Sequence, residues 1–127
     1  MIPAPTDALH LFACRTDPEV LWARHSMLVG RTAGTLATAT GAVDPAQAAG
    51  GGLLHDIGRS FMHGRFHPWL GHQWLMGRGH PAWARCAVTH WLRGRSREEM
   101  ADSGFRGDFL DALWVTVEPT PLTPLDH

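Results

Sequence analysis

Residues 44–58 read DPAQAAGGGLLHDIG, and the three consecutive glycines at 50–52 constrain the fold more than any other feature. Asp44 followed by Pro45 is a strong helix start, because an N-cap carboxylate accepts from the first turn and the proline's fixed φ suits the first helical position. A helix that begins there and closes at Gly58 must run through Gly50, Gly51 and Gly52, each costing roughly 1 kcal/mol relative to alanine. Such a run is tolerated where a second helix comes close to the bared backbone. The sequence therefore calls for tight helix-on-helix packing, with the segment that carries His25 as the neighbour. His55 and Asp56 then fall on the last turn of the glycine-bearing helix.

The rest of the chain is punctuated in the same way. A short helix is expected over Asp7 to Cys14. A longer one starts at the Asp17-Pro18-Glu19 cap and ends at Gly41, with Val20, Leu21, Leu28, Thr32, Ala33 and Leu36 as its apolar stripe and His25 turned toward the core. After a polar loop over 59–66, His67–Met76 and Pro81–Trp91 read as two more helices, and Ser96 with Glu99 forms a capping-box pattern. Asp108–Val117 suits a helix over FLDALW and a strand over WVTV. Thr123-Pro124-Leu125-Asp126 has the signature of one more helix start at the C-terminus. The expectation is an all-α, compact bundle of about five to seven helices, one domain over 1–127 with its core at 17–100.

Composition narrows the class of function. With 127 residues, 44% of them hydrophobic, and six Trp and five Phe, the chain supports a single packed core. A net charge of -1 gives no general pull toward nucleic acid or an anionic membrane. No stretch has the length of a membrane span and no leader pattern opens the chain, so a cytoplasmic protein is expected. Cys14 and Cys86 lack CxxC spacing and are read as reduced core thiols. All eleven basic residues are Arg, whose planar fork suits carboxylate or phosphate wherever one lies in a cleft.

The chemistry-bearing residues are His25, the pair His55-Asp56, and His67 and His90, one on each of several successive helices. An HD dipeptide alone is weak in a chain with nine histidines. Four imidazoles and a carboxylate on separate helices can converge in a bundle interior, where helical proteins build metal sites. Neutral imidazole with carboxylate suits Mn, Fe, Co, Ni or Zn, one or two ions, and not an all-oxygen cage for Ca or Mg. Asp56 is the natural bridge, since its two oxygens can each face one cation. His10, His72, His80 and His127 have no partner in this pattern. Trp22, Trp74, Trp83 and Trp114 are read as core, and Trp69 and Trp91 as walls of a pocket.

The segments RHSMLVGRTAGTLA, AAGGGLLHDIGRS, HPWLGHQWL and ARCAVTHW, taken in order, resemble the HD superfamily of metal-dependent phosphohydrolases in its HDIG-bearing branch, over residues 17 to about 100. The resemblance implies that His25, His55 and Asp56 bind one metal and that His67 and His90 complete a second position. It implies hydrolysis of a small phosphate ester, with a nucleotide as the expected substrate, by attack of a metal-activated hydroxide. Asp56 and His63 are then the catalytic candidates, and Arg59 and His63 the substrate-binding ones; Arg65 is a weaker candidate for a phosphate oxygen. The family pattern ends with a further metal-binding Asp on a last helix, and this sequence stops where that helix would begin, as a truncated form would. Asp126 or Asp111 are the carboxylates at hand to replace it. Two alternatives accompany this function: an HD-type di-iron oxygenase, and a degenerate bundle that binds without catalysis. A bundle lacking a helix exposes apolar surface, so a homodimer is also expected.

Overall fold

The computed structural model describes residues 5–92, 95–105 and 107–117, and among these it is all-α with no strand. Helix α1 spans Thr6–Arg15, α2 Leu21–Thr40 and α3 Pro45–Leu54, followed by a 3-10 turn at Ile57–Ser60. Helices α4 (His67–Gly77), α5 (Pro81–Leu92), α6 (Arg97–Asp102) and α7 (Gly107–Val117) follow within the described residues. The ambiguous segment near 108–117 is thus helical. The helix start expected at Thr123 lies outside the described residues.

Most of the punctuation acts as the residue types require. Asp44 accepts from the Gln47 N–H at 3.0 Å, and Ser96 and Glu99 form the reciprocal capping box. Gly41 ends α2 in the left-handed region at φ 68°, donating to the Ala37 carbonyl. The Asp17 signal behaves differently. Its carboxylate accepts from the Glu19 N–H two residues on, so Asp17-Pro18-Glu19 makes a turn and the helix starts at Leu21.

The glycine run is explained by packing against α2. A Cβ on Gly52 would stand 2.9 Å from the Gly30 Cα and from the Val29 carbonyl oxygen, and one on Gly50 would meet the Trp83 indole at 2.9 Å. Contact this close selects small residues on α2, and its buried face is Ala23, Ser26, Gly30, Gly34 and Ala37. The expected apolar stripe is therefore corrected: Leu21, Leu28 and Leu36 are 84%, 62% and 59% exposed, and Val20 is exposed as well. His25, placed on the core side by that stripe, lies at the rim instead, with its side chain 52% exposed.

Two apolar clusters hold the helices together. One joins Phe12 of α1 to Leu53, Leu54, Ile57, Leu75 and Trp83; the other joins Val88, Trp91 and Leu92 of α5 to Met100, Phe105 and Leu113. Cys86 is buried as expected, whereas Cys14 is exposed on α1, and neither is in a disulfide. No helix among the described residues is long and apolar enough to cross a membrane.

Candidate metal centre

Asp56 is buried just past the end of α3, which stops at Leu54, earlier than Gly58 where the sequence placed it. His55 is the C-cap and Asp56 leaves the helical path at φ -107°, ψ 14°. The next turn is set by Gly58. A Cβ there would lie 1.8 Å from the His67 carbonyl oxygen, so only glycine lets the 3-10 turn press onto the start of α4. This contact carries the buried carboxylate to His67, whose Nε2 stands 2.8 Å from Asp56 Oδ1.

The other imidazoles arrive from three further positions. His90 of α5 places Nε2 3.3 Å from Asp56 Oδ1. On the opposite oxygen, His55 Nε2 and His25 Nε2 lie 3.3 and 3.5 Å from Oδ2, and 3.3 Å from each other. The five residues named from sequence thus form two groups sharing one carboxylate: His25, His55 and Asp56, and Asp56, His67 and His90.

Hydrogen bonding fixes which nitrogens face inward. His55 Nδ1 donates to the Gly52 carbonyl at 2.6 Å and His67 Nδ1 to the Gly64 carbonyl at 3.0 Å. Each ring therefore turns Nε2 toward Asp56, the arrangement by which a backbone carbonyl orients a metal-binding imidazole. His90 Nδ1 is buried without a partner. Burial alone would push the Asp56 carboxyl up, but hydrogen bonds from His55, His67 and His90 override it and hold the group far below the usual carboxylate range. For His55, burial works downward, yet the hydrogen bond and charge of Asp56 together with the Gly52 carbonyl raise it above 6.5.

The donor set fits a divalent ion. Facing Nε2 atoms at 3.3 Å cannot both carry protons without repulsion, and both converge on a carboxylate oxygen. Ligands at about 2.0–2.1 Å around a tetrahedral ion stand about 3.3–3.4 Å apart. The triangle of His25, His55 and Asp56, with sides of 3.3, 3.3 and 3.5 Å, has that spacing. The structure therefore contains His/Asp groups able to hold metal.

A family model described as the HDOD domain matches residues 9–78, more than half of the chain. The chain belongs to the HDOD-domain family. HDOD is an HD-like domain, so membership agrees with the all-α architecture and with the broad resemblance read from the sequence. No curated protein and no solved structure matches the chain. The HDOD match ends at Arg78, so His90 lies beyond it while His25, His55, Asp56 and His67 lie within.

Besides an apolar groove of about 510 Å³ that reaches His55 and His90, two openings flank the HDOD chain's cluster. The outer one, of about 760 Å³, is walled by Val20, Leu21 and Trp22 and reaches His25, Arg59 and His63. The other, of about 490 Å³, runs from the histidines past Trp91 to Arg65 and Arg95. Arg59 borders both and lies 3.6 Å from Asp56 Oδ2 through Nε. Asp111 pairs with Arg97 and is not among the residues gathered around Asp56, and Asp126 lies outside the described residues. Trp69, expected as a pocket wall, stacks on His72 instead. Trp22, assigned to the core, packs against the first apolar cluster, edge-to-face on Phe12, and also lines the outer opening, while Trp91 lines the other.

Proposed function

We propose that the chain is a divalent-metal phosphohydrolase of the HDIG-bearing type, acting on a small phosphate ester of the nucleotide class. The observation that carries this reading is the His25–His55–Asp56 triangle with ligand-like sides, sharing its carboxylate with His67 and His90. Divalent ions held by these residues supply positive charge that polarises a phosphoryl oxygen and acidifies water. Asp56, ionised at any physiological pH, bridges the two groups. Arg59 has donors beyond the Nε that faces Asp56, and these orient a non-bridging phosphate oxygen. His63, on the outer opening, is the proton donor to the leaving group in this reading. Trp22, Leu21 and Val20 give the organic part of the ester an apolar wall, and the Trp22 face suits a nucleobase.

The test is turnover of a panel of nucleoside mono-, di- and cyclic phosphates by metal-loaded protein. Hydrolysis of at least one member, lost in Asp56→Ala, supports the proposal; bound metal with no hydrolysis across the panel contradicts it. The second reading is a non-catalytic binding module. It is favoured by the family match, since HDOD proteins are often signalling proteins without catalysis, and by the absence of a further Asp from the described cluster. Metal and nucleotide binding without turnover is the result that selects it.

A further inference from the structure

The opening on the α5–α6 side of the cluster holds three guanidiniums, Arg59, Arg65 and Arg95, against a single carboxylate, Asp56. Arg59 accompanies the carboxylate, while the other two line the same opening and are each fixed by neutral groups. Arg65 donates through Nη2 to the Ser103 carbonyl at 3.1 Å and lies over the Phe105 ring, 4.1 Å from its centroid. Gly104, at φ 94°, makes the turn that presents both that carbonyl and that ring. Arg95 donates Nε to the Leu92 carbonyl at 3.0 Å and Nη2 to the Trp91 carbonyl at 2.6 Å, closing the end of α5.

Among the described residues no carboxylate lies within ion-pair distance of Arg65 or Arg95. A guanidinium has five N–H donors, so these anchoring bonds leave three or more on each side chain. Two oriented and uncompensated forks lining the same opening as the His/Asp cluster suit an anion that does not sit on the cluster itself.

We infer that Arg65 and Arg95 form a second anion subsite, and that the ligand carries two phosphate groups, one at the His/Asp cluster and one between these arginines. The inference rests on the phosphohydrolase reading for the first group and adds the second. A bisphosphorylated ligand, or one with a phosphoanhydride chain, lays its distal phosphate on the arginines and its organic body on the opposite side, against Val20 and Trp22.

The experiment is calorimetric binding of methylphosphonate and of methylene-, ethylene- and propylene-bisphosphonate to the Mn(II)-equilibrated chain at fixed ionic strength. The best bisphosphonate is expected to bind at least tenfold more tightly than methylphosphonate, with the preference falling to within twofold in Arg65→Gln/Arg95→Gln. Arg65→Gln alone, which leaves the α5 cap in place, is expected to lose at least threefold of the preference and covers the case in which the double variant does not fold. A wild-type chain that binds all four probes within twofold overturns the inference, as does a preference that survives both variants. The two failures separate. A chain that takes up no metal still binds methylphosphonate in an Arg65- and Arg95-dependent way if the subsite exists, whereas a metal-loaded, hydrolytically active chain without the bisphosphonate preference refutes the subsite alone.

Discussion

The two groups that share Asp56 are built differently. The outer one, His25 and His55 on Oδ2, has donor spacings of 3.3–3.5 Å, the separation of neighbouring ligands on one cation. In the inner one, His67 stands 2.8 Å from Oδ1, an ordinary charge-assisted hydrogen bond, and His90 has an unpartnered Nδ1. Exposure is greatest at His25, whose side chain is 52% exposed, against 31% for His90, 12% for His55 and 11% for His67. The outer group is thus prepared to bind and open to solvent, and the inner one must first break a buried hydrogen bond. A first ion in the outer group and a weaker second ion in the inner group follow from this difference.

The largest expected effect is that of Asp56→Ala, which removes the shared ligand from both groups. Metal content by plasma mass spectrometry falls to background, along with any turnover. Sharper discrimination comes from comparing His25→Ala with His90→Ala in metal titrations. The first should abolish the tight step, by 100-fold or more in affinity, and the second only the weak one; the opposite order would break the comparison. Gly58→Ala acts on the inner group through the backbone, because its Cβ would collide with the His67 carbonyl. It should cost about 1–3 kcal/mol in chemical denaturation and weaken the second ion more than the first.

Much of the site was legible from sequence, because its signal is a set of residue types in order on separate helices, and helix starts and stops are local chemistry. Asp44-Pro45, Gly41 and the Ser96/Glu99 pair act within a few residues of themselves, and the structure honours them. What failed was the choice of face on α2. Large apolar residues ordinarily mark the buried side, but here the glycine-rich α3 approaches so closely that Ala23, Ser26 and Gly30 take that side and Leu28 is left outside. Leu28→Ser should accordingly change stability by no more than about 0.5 kcal/mol. Trp22 and Arg95 were missed as pocket residues for another reason. Each reaches the cluster by tertiary placement alone, Trp22 from the start of α2 and Arg95 from beyond the end of α5, with no local pattern to mark it.

The smallest effect concerns His72, buried away from both groups. Burial lowers its pKa from 6.5, so the unfolded chain binds the proton more readily than the folded one. Its contribution to stability is complete above about pH 6.5 and declines as pH falls toward the lowered value. In His72→Phe this part of the acid-side loss should vanish, seen as a smaller difference in denaturation midpoint between pH 7.5 and 5.5 than in the wild type.

The central claim is that packing makes a cation-binding triangle of His25, His55 and Asp56, with a second group behind it. Its most direct test is the metal content of the folded chain after equilibration with Mn(II), Fe(II) or Zn(II) and removal of free ion. Two ions per wild-type chain, one in His90→Ala and none in Asp56→Ala, are the predicted result. A folded wild-type chain that retains no stoichiometric metal with any of the three would contradict it.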